Sequence, residues 1–535
     1  MLTYKRLNVI VILCILSAHV KLGWCNTNAA AAPKKYVGAI DQGTSSTRFM
    51  VFNEQGEVVS IEQMEHDQIY PKPGWVEHNP NQIWENTEKC IKKALKKGKL
   101  KPTDLAAIGI TNQRETTVVW NKHTGEPYYN AIVWNDIRTA EICSELEKGS
   151  SKGIDRFRGK TGLPIAPYFS ATKLKWIFDH FPEAKAAAET GDALFGTMDC
   201  FLAWKLSGGT RHLTDVTNAC RTLLLDLDTL DWDEGQLAAL GVPRACLPEI
   251  VPSSKVLFEC AAGTGLEGVP LAGILGDQQA ALFGQACFAP GEAKATYGTG
   301  AFVLMNTGAK VASRSGLLTT VAYQLDGQAA VYALEGSVAY CGSLIQWLRD
   351  NLGLVGSAAE TEALAASVPD TGGMYLVPAF SGLFAPRWRK DARGVAAGLT
   401  AFNTRAHFVR AALEAAAFQV YEVMGAMEKD SGVKVSALKV DGGMTANALV
   451  MQFQADLIRA SVTRPRVPET TALGAAYAAG LAVGLFPGLE QITANWQLSK
   501  HWEPEASEDV ITAKVRGWEK AVERTLGWTD EDTAA

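Results

Sequence analysis

The feature that most constrains the fold of this chain is a strand–turn–strand layout that occurs once in each half of its 535 residues. The first turn, Asp41–Thr47, and the second turn, Gly298–Gly300, each separate two short apolar runs and combine glycine with hydroxyl side chains. Glycine permits a tight turn whose backbone N–H groups point inward at an anion. Two copies of a turn suited to phosphate predict two related lobes that face one nucleotide. Pro290-Gly291 lies between the copies and is the expected boundary.

The residues after the first turn predict a small meander followed by a helix. Asn53–Gly56 turns the second apolar run back into Glu57–Ile61, which is typical of a three-stranded meander. Apolar side chains then recur at helical spacing from Ile83 to Leu95, and Gly98 is the expected end of that helix. Lysines cluster at this end without interleaved aromatic residues, so we interpret them as a solvated helix end and not as a phosphate or nucleic-acid patch.

Composition supports a large α/β enzyme and argues against several other classes of protein. Hydrophobic residues make up 47% of the chain and charged residues 20%, which excludes bulk disorder. A net charge of −6 leaves no concentrated basic face for nucleic acid. The ten cysteines are scattered without a C-x-x-C pair, so a disulfide scaffold or a structural zinc site is not expected.

The first turn carries one set of residues with candidate chemistry. Four successive hydroxyl residues, 44–47, offer hydrogen-bond donors to phosphate, and Arg48 adds a fixed positive charge. Asp41, at the end of the preceding strand, is a carboxylate of the kind that holds hydrated Mg²⁺. An ordinary polar hairpin is the alternative interpretation.

Two further strand ends carry candidate residues. The apolar run from Leu271 ends at Asp277, where a general base for a hydroxyl nucleophile would face the ligand crevice of an α/β sheet. A cap for the following helix is the alternative role of Asp277. Val440–Asn447 is a weaker signal, a glycine-rich turn that suits a nucleoside. Gly153–Thr161 looks like a P-loop but has the wrong spacing and no preceding strand, so we reject it.

Several strings, in order, resemble those of the FGGY carbohydrate kinases, and the resemblance extends from Lys35 to the region of Pro487. It implies an α/β fold of two actin/hexokinase-type (ribonuclease H-like) lobes with ATP and substrate in the cleft between them. The matching strings are Ile40–Thr44, Tyr70–His78, Thr111–Thr117, Gly276–Gln279, Tyr297–Gly300, Glu335–Ser337 and Asp441–Gly443.

The resemblance also implies a division of the chain into four parts. Residues 1–35 are a hydrophobic leader and linker, and residues 36–289 are the N-terminal lobe with the substrate and phosphate site. Residues 290–487 are the C-terminal lobe with the nucleotide site, and residues 488–535 are a helical tail. A homodimer or homotetramer is expected by analogy with the family.

The implied reaction is the ATP-dependent phosphorylation of glycerol to sn-glycerol 3-phosphate with Mg²⁺. Arg114-Glu115 favours glycerol, and xylulose or gluconate remains the alternative substrate; a relative that binds ATP without this chemistry is a further alternative. Asp277 is implied as the catalytic base, and Asp41 and Asp277 would face the metal. The implied glycerol contacts are Arg114, Glu115, Trp134, Tyr168, Asp277, Gln278 and Phe302. The implied ATP contacts are Thr44, Ser45, Ser46, Arg48, Thr299, Gly342, Gln346, Gly443 and Asn447.

Three segments depart from the family pattern. The pocket tryptophan is followed by Asn-Asp-Ile-Arg at 135–138, where many relatives have Gln-Asp-Arg-Arg. Segment 384–391 carries extra basic residues, which we interpret as a solvated surface and not as a regulatory anion site. Loop 259–265 lacks the lysine of relatives that are regulated by fructose 1,6-bisphosphate, so no inhibition through this loop is expected.

The first 25 residues have the pattern of a secretory leader. Lys5 and Arg6 precede the apolar run Leu7–Ala18, and small residues follow near Gly23–Cys25. The run is too short to span a bilayer. A kinase needs ATP, and the chain contains no N-x-[ST] sequon. We therefore expect a cytoplasmic enzyme, with an organellar or secretory route through residues 1–25 as the alternative.

Overall fold

The computed structural model of the protein describes residues 35–529. The predicted leader and the last residues of the predicted tail lie outside the described residues. Within residues 35–529, no helix is long and apolar enough to cross a membrane.

The first half of the described chain contains the strands of the first sheet and four two-stranded sheets. Its strands are β1 (Tyr36–Gln42), β2 (Ser46–Asn53), β3 (Val58–Glu65), β4 (Glu77–His78), β5 (Leu105–Asn112), β6 (Val118–Asn121), β7 (Ala131–Ile132), β8 (Ala193–Gly196), β9 (Leu213–Asp215), β10 (Leu225–Asp226), β11 (Asp231–Trp232), β12 (Glu249–Val251), β13 (Ser254–Glu259) and β14 (Pro270–Gly276). Its helices are α1 (Pro80–Gly98), α2 (Ala140–Lys148), α3 (Arg158–Thr161), α4 (Ser170–His180), α5 (Pro182–Thr190), α6 (Met198–Leu206), α7 (Val216–Ala219), α8 (Glu234–Leu240) and α9 (Asp277–Gly284).

The second half contains the second sheet and the longest helix. Its strands are β15 (Ala293–Tyr297), β16 (Ala301–Gly308), β17 (Leu318–Tyr323), β18 (Val331–Val338), β19 (Tyr375–Val377), β20 (Val395–Ala397), β21 (Ala437–Asp441), β22 (Ser461–Pro465) and β23 (Leu498–Trp502). Its helices are α10 (Gly342–Asp350), α11 (Glu360–Ala366), α12 (Arg405–Ser431), α13 (Ala448–Ile458), α14 (Thr470–Ala482), α15 (Leu489–Asn495) and α16 (Glu508–Glu523).

The first sheet has six strands in the order β13-β14-β5-β1-β2-β3. Strands β1, β5 and β14 are parallel neighbours, whereas β2 and β3 continue from β1 as antiparallel hairpins, so the predicted meander is confirmed. Helix α1 ends at Gly98, as its spacing predicts. Because the three parallel strands run in one direction, Asp41, Asn112 and Gly276 lie at the same edge of the sheet.

The second sheet has seven strands in the order β17-β18-β16-β15-β21-β22-β23. Strand β15 pairs antiparallel with β16 and parallel with β21, which repeats the arrangement of β1 with β2 and β5. Thr296 lies opposite Asp441 at the edge that carries the second turn. The two related α/β sheets predicted from the repeated turn are therefore confirmed.

Two helices pack against each other between the sheets. Gly284 in α9 and Gly474 in α14 let the backbones touch, since a Cβ at Gly474 would lie 1.8 Å from Ala280 O. Helix α14 also packs on strands β1, β5 and β14, although it belongs to the second half of the chain. A Cβ at Gly109 would lie 2.2 Å from Ala475 O. The cleft between the sheets is thus backed by helices from both halves.

The predicted helical tail is wrong in one respect. Strand β23 pairs antiparallel with β22 and forms the edge of the second sheet. Its Trp502 side chain is buried in the core of that sheet, and this burial holds the strand in place. Helix α16 packs over β19 and β20, with Trp518 fully buried. The boundaries at residues 289 and 487 remain predictions.

Candidate active site

Two carboxylates lie near each other, Asp41 at the end of β1 and Asp277 at the start of α9. The pKa of Asp41 is raised to about 6, mainly by burial; Arg48 opposes the shift and the nearby charge of Asp277 adds to it. Gly276 is the N-cap of α9, so the alternative role of Asp277 as the cap is wrong. Among the described residues, no group of three or more His, Cys, Asp or Glu side chains could hold a metal ion. Two carboxylates nevertheless fit hydrated Mg²⁺, which takes its other ligands from water and substrate phosphates.

The first turn lies directly beside these carboxylates. Gly43 N donates to Ser46 O at 2.9 Å and closes the turn. Trp134 Nε1 donates to Thr44 Oγ1 at 3.0 Å, and this hydrogen bond connects the turn to an aromatic side chain. Ser45 is exposed. The hydroxyl-rich turn is therefore ordered on one side and open on the other.

The second turn borders a cavity of about 530 Å³, a volume typical of small-molecule sites. Gly342 N donates to Gly298 O at 2.9 Å, and a Cβ at Gly342 would lie 2.5 Å from the same oxygen. Only glycine fits at this position. The four residues predicted for the nucleoside end all line the cavity, and so does Thr299, which is predicted to contact phosphate; the four are Gly342, Gln346, Gly443 and Asn447.

Asn447 has a structural role in addition to lining this cavity. Its Oδ1 accepts from Val450 N at 3.2 Å and caps helix α13. Its Nδ2 points at Thr361 Oγ1, 3.5 Å away. The capping bond leaves the amide nitrogen as the group that could reach a base. Sequence reasoning did not single out three other polar residues that line the cavity: Arg349, Thr361 and Glu362.

Three aromatic side chains form a half-buried wall beside the carboxylates. The ring centroids of Trp134 and Tyr168 are 5.7 Å apart, and those of Trp134 and Phe302 are 6.3 Å apart. Phe302 lies on the second sheet and the other two belong to the first half of the chain, so the wall contains residues from both. The structure thus brings together the predicted aromatic contacts of the substrate.

A chain of alternating charges connects Arg114 to Glu115 through two residues for which the sequence predicted no role, Glu335 and Arg221. Arg114 donates to the two carboxylate oxygens of Glu335 at 2.6 and 2.8 Å. Arg221 donates to Glu335 Oε1 at 3.3 Å and to Glu115 Oε1 at 2.7 Å. Burial alone would raise the pKa of Glu335, but the two guanidinium groups overcome it and lower the pKa to about 2. Glu335 is therefore ionised at neutral pH.

Glu115 is held in a strained conformation by its neighbours. Its φ of 61° is rare for a residue other than glycine. The hydroxyl groups of Ser170 and Thr117 each donate to its carbonyl oxygen at 3.0 Å. Strain of this kind persists where the surroundings over-determine it, and it concentrates at functional sites. Among the described residues none donates to Glu115 Oε2, so this oxygen is available to a ligand.

Arg114 also reaches the first carboxylate pair. Its Nε lies 3.1 Å from Asp277 Oδ1, while its Nη1 donates to Gln279 Oε1 at 3.1 Å. The guanidinium group is therefore fixed on three sides. A charged donor, a charged acceptor and a further carboxylate are thus assembled beside one aromatic wall, an arrangement that suits the recognition of a polyhydroxyl compound.

Family models cover most of the chain. The model described as FGGY family of carbohydrate kinases, N-terminal domain, matches residues 36–284. The corresponding C-terminal domain model matches residues 293–483. The chain belongs to the FGGY family of carbohydrate kinases. The resemblance inferred from the motifs is confirmed, and with it the actin/hexokinase-type fold of two lobes.

Individual FGGY relatives resemble the chain along nearly its whole length. It is 59% identical over 500 residues to a glycerol kinase of Chloroflexus aggregans, covering 93% of this chain and 100% of the relative. A glycerol kinase of Brucella anthropi matches at the same identity and coverage. The crystal structure of Plasmodium falciparum glycerol kinase with ADP superposes with a TM-score of 0.86 at 38% identity, covering 92% of this chain and 98% of that one.

Glu335 and Arg221, the two middle members of the buried charge chain in this FGGY kinase, carry different signals in the sequence. Glu335 belongs to one of the matching strings, although no role was assigned to it. Arg221 belongs to none. It is the one charged residue in the run Val216–Leu225. A single charge in an otherwise uncharged run indicates a buried ion pair, and this signal could have found it.

The rim after the pocket tryptophan, where the sequence departs from the FGGY pattern, is anchored by Arg138. Its guanidinium carbon lies 3.8 Å from the centre of the Trp75 ring and 4.7 Å from that of Trp176. It also donates to Glu77 at 2.8 Å and to Asp136 at 2.7 Å. The segment 135–138, although it differs from the family pattern, therefore keeps a buried and paired arginine that holds the rim in place.

The basic segment 384–391 carries its own counter-charges. Arg387 is paired with Glu422 at 2.8 Å, and Arg389 is paired with Asp391 at 2.5 Å. The side chain of Arg389 is 44% exposed. These pairs support the interpretation of the segment as a solvated surface.

Proposed function

We propose that this FGGY kinase transfers the γ-phosphoryl group of ATP to a terminal hydroxyl of glycerol, giving sn-glycerol 3-phosphate and ADP. The observation that carries the proposal is the position of Arg114 and Glu115 beside Asp277 within one aromatic wall. The relatives at 59% identity, which are glycerol kinases matched over their full length, support the same substrate.

Substrate recognition follows from the charge chain. Arg114 can donate an N–H group to the oxygen of one hydroxyl group of the substrate. Glu115 Oε2 can accept the proton of a neighbouring hydroxyl group in a hydrogen bond. Arg221 and Glu335 hold these two groups in place before the substrate binds, which reduces the entropy lost on binding. The wall of Trp134 excludes water from the carbon backbone. A site built on such hydrogen bonds strongly rejects analogues that lack a hydroxyl group.

Asp277 acts as the general base. It accepts the proton of the terminal hydroxyl while that oxygen forms a bond to the γ-phosphorus, and the bond from the γ-phosphorus to the β,γ-bridging oxygen breaks as ADP leaves. Thr44, Ser45 and Ser46 of the first turn, with Arg48, bind phosphate oxygens from one lobe. Thr299 binds them from the other. Most of the rate then comes from positioning and electrostatic stabilisation.

Asp41 and Asp277 fit a hydrated Mg²⁺ ion, which when bound would neutralise charge on the β- and γ-phosphates. Burial raises the pKa of Asp41 to about 6. Because this value is still below 7, the carboxylate is mostly ionised at neutral pH and can bind a cation. The nucleoside lies in the cavity of about 530 Å³, where Gly443 leaves open space and Gln346 supplies a polar group. We place the enzyme in the cytoplasm because a kinase needs ATP and the chain contains no N-x-[ST] sequon. We propose a homodimer or homotetramer by analogy with the family.

The test is the release of ADP by the full chain with glycerol, xylulose or gluconate as the acceptor. We expect ADP release that depends on glycerol and an activity with the other two that is lower by orders of magnitude. ADP release that is absent with all three acceptors, or that does not depend on any of them, would support the alternative of a relative that binds ATP without this chemistry. A preference for xylulose or gluconate would support the alternative substrates.

A further inference from the structure

A buried lysine that the mechanism does not use contacts the residue next to Asp277. Lys294 is on β15 of the second sheet, and its side chain is completely buried. Its Nζ donates to Gln278 Oε1 at 2.5 Å and to Thr296 Oγ1 at 2.9 Å. Gln278 follows Asp277 in helix α9, so this hydrogen bond connects the second sheet to the residue beside the base.

Four charged side chains act on the Lys294 ammonium group. Asp441 on β21, Asp277 on α9 and Glu335 on β18 attract the ammonium group, while Arg114 repels it. A buried ammonium group needs oxygen acceptors, because an unpaired charge in a low-dielectric interior is costly. The side-chain oxygen Oε1 of Gln278 is one of the two acceptors that Lys294 has among the described residues.

This contact determines which way the Gln278 carboxamide points. An ammonium group has three donors and no acceptor, so only the carboxamide oxygen can bind it. The Nε2 group must then point away from Lys294. Gln278 is mostly buried, with 7% of its surface exposed, yet its Nε2 group donates to no acceptor among the described residues. A free N–H₂ donor is thereby presented beside Asp277.

We infer that Lys294 is a positioning residue that sets substrate specificity, because it fixes the Gln278 carboxamide with its N–H₂ group toward the polyol. The inference rests on the proposed function. A hydroxyl group that gives its proton to Asp277 or Glu115 must accept a hydrogen bond through its oxygen. A rotated carboxamide would present an acceptor instead, and two acceptors would then compete for one hydroxyl proton. Lys294 removes that competing orientation.

The test compares Lys294→Met, Gln278→Leu and the double variant. Losing one oriented hydrogen bond in a site of this kind raises the KM for glycerol by about tenfold, and the KM for ATP changes by less than about twofold. Because Lys294 acts through Gln278, we expect the double variant to be no worse than Gln278→Leu alone. Lys294→Arg retains the charged donor and should recover most of the affinity for glycerol.

Lys439→Met is the matched control. Lys439 lies opposite Lys294 on the neighbouring strand and donates to the carbonyl oxygens of Gln285 and Ala286, just beyond the far end of α9. It makes no hydrogen bond to Gln278. We expect Lys439→Met to lower the melting temperature at least as much as Lys294→Met does, while the KM for glycerol stays within about twofold of the wild-type value.

Several outcomes would overturn the inference. One is an unchanged KM for glycerol in folded Lys294→Met, and another is additive effects in the double variant. Equal rises in the KM for glycerol and for ATP, or a Lys439→Met control that raises the KM for glycerol as much as Lys294→Met does, would also overturn it, because such effects indicate a structural role. Wild-type protein is assayed first. If it releases no ADP with glycerol, the proposed function fails; if it does, these comparisons judge Lys294 alone.

Discussion

The two ends of the cleft differ in physical character. The end nearest the first sheet is lined by buried charges in fixed pairs, of which Arg114 with Glu335 and Arg221 with Glu115 are the centre. The end nearest the second sheet is an open cavity of about 530 Å³ whose turns depend on glycine and backbone groups. A small polyol offers little surface and therefore needs prearranged charges, whereas a nucleotide is large enough to be held by shape.

Replacing the base should have the largest effect. Asp277→Asn removes the proton acceptor but keeps the shape of the side chain, so kcat should fall by about 10²–10⁴-fold while the KM for ATP changes little. Steady-state kinetics with both substrates checks this. Asp391→Asn, which breaks a surface pair with Arg389, is the matched control and should leave kcat unchanged. Near-normal turnover by Asp277→Asn would show that another group accepts the proton.

The buried charge chain should be the next most sensitive feature. Glu335→Gln leaves Arg114 and Arg221 partly uncompensated, and breaking a buried pair costs about 3–5 kcal/mol. We expect a lower free energy of unfolding in urea and a raised KM for glycerol, with the KM for ATP nearly unchanged. Glu249→Gln, which breaks the exposed pair with Arg211, is the control and should cost about 1 kcal/mol or less. Equal losses in the two variants would contradict the assigned role of the chain.

A backbone change should affect the nucleotide end alone. A Cβ at Gly342 would lie 2.5 Å from Gly298 O, so Gly342→Ala must displace the second turn. We expect the KM for ATP to rise by about tenfold and the KM for glycerol to stay within about twofold, measured by varying one substrate at a time. Gly425→Ala in helix α12 is the control, because its added methyl group meets nothing within 4 Å. A shift in the KM for glycerol as large as that for ATP would mean that the two ends are not separate.

The smallest expected effect is a pH dependence at the boundary between the two ends. Burial lowers the pKa of Lys294 to about 8. The group is charged at pH 7 and loses its proton above pH 8, where a neutral amine can accept as well as donate and no longer fixes the Gln278 carboxamide. The KM for glycerol should therefore rise by a few-fold between about pH 7 and 9. Lys294→Arg keeps its charge over this range and should flatten the profile. A wild-type profile that matches that of Lys294→Arg would refute this explanation.

The positions of some site residues could be predicted from the sequence. Asp41, Asp277 and the two turns follow apolar strands directly, and a parallel sheet brings such strand ends together, so their positions follow from local pattern and topology. Gly443 and Asn447 lie in a glycine-rich turn that predicts a nucleoside site, whereas Gly342 and Gln346 followed from the family resemblance alone, and all four line one cavity.

Arg221 and Lys294 could not be placed in the same way, because their roles arise from contacts with residues far away in the sequence. No local pattern predicts that Lys294 meets Gln278 or that Glu335 lies between two arginines. The strand β23 was missed for a related reason, since most of its side chains are exposed and only Trp502 is buried. Edge strands of this kind depend on tertiary packing more than on intrinsic preference.

The central claim is that charges at the first-sheet end direct phosphoryl transfer to a terminal hydroxyl of glycerol. The most direct measurement is ³¹P NMR of a reaction that contains the full chain, ATP, Mg²⁺ and glycerol. We predict that the γ-phosphate signal is replaced by the signal of glycerol 3-phosphate in equal amount to ADP, and that Glu115→Gln slows this conversion at low glycerol concentration. Conversion of ATP to inorganic phosphate without a phosphorylated triol would contradict the claim.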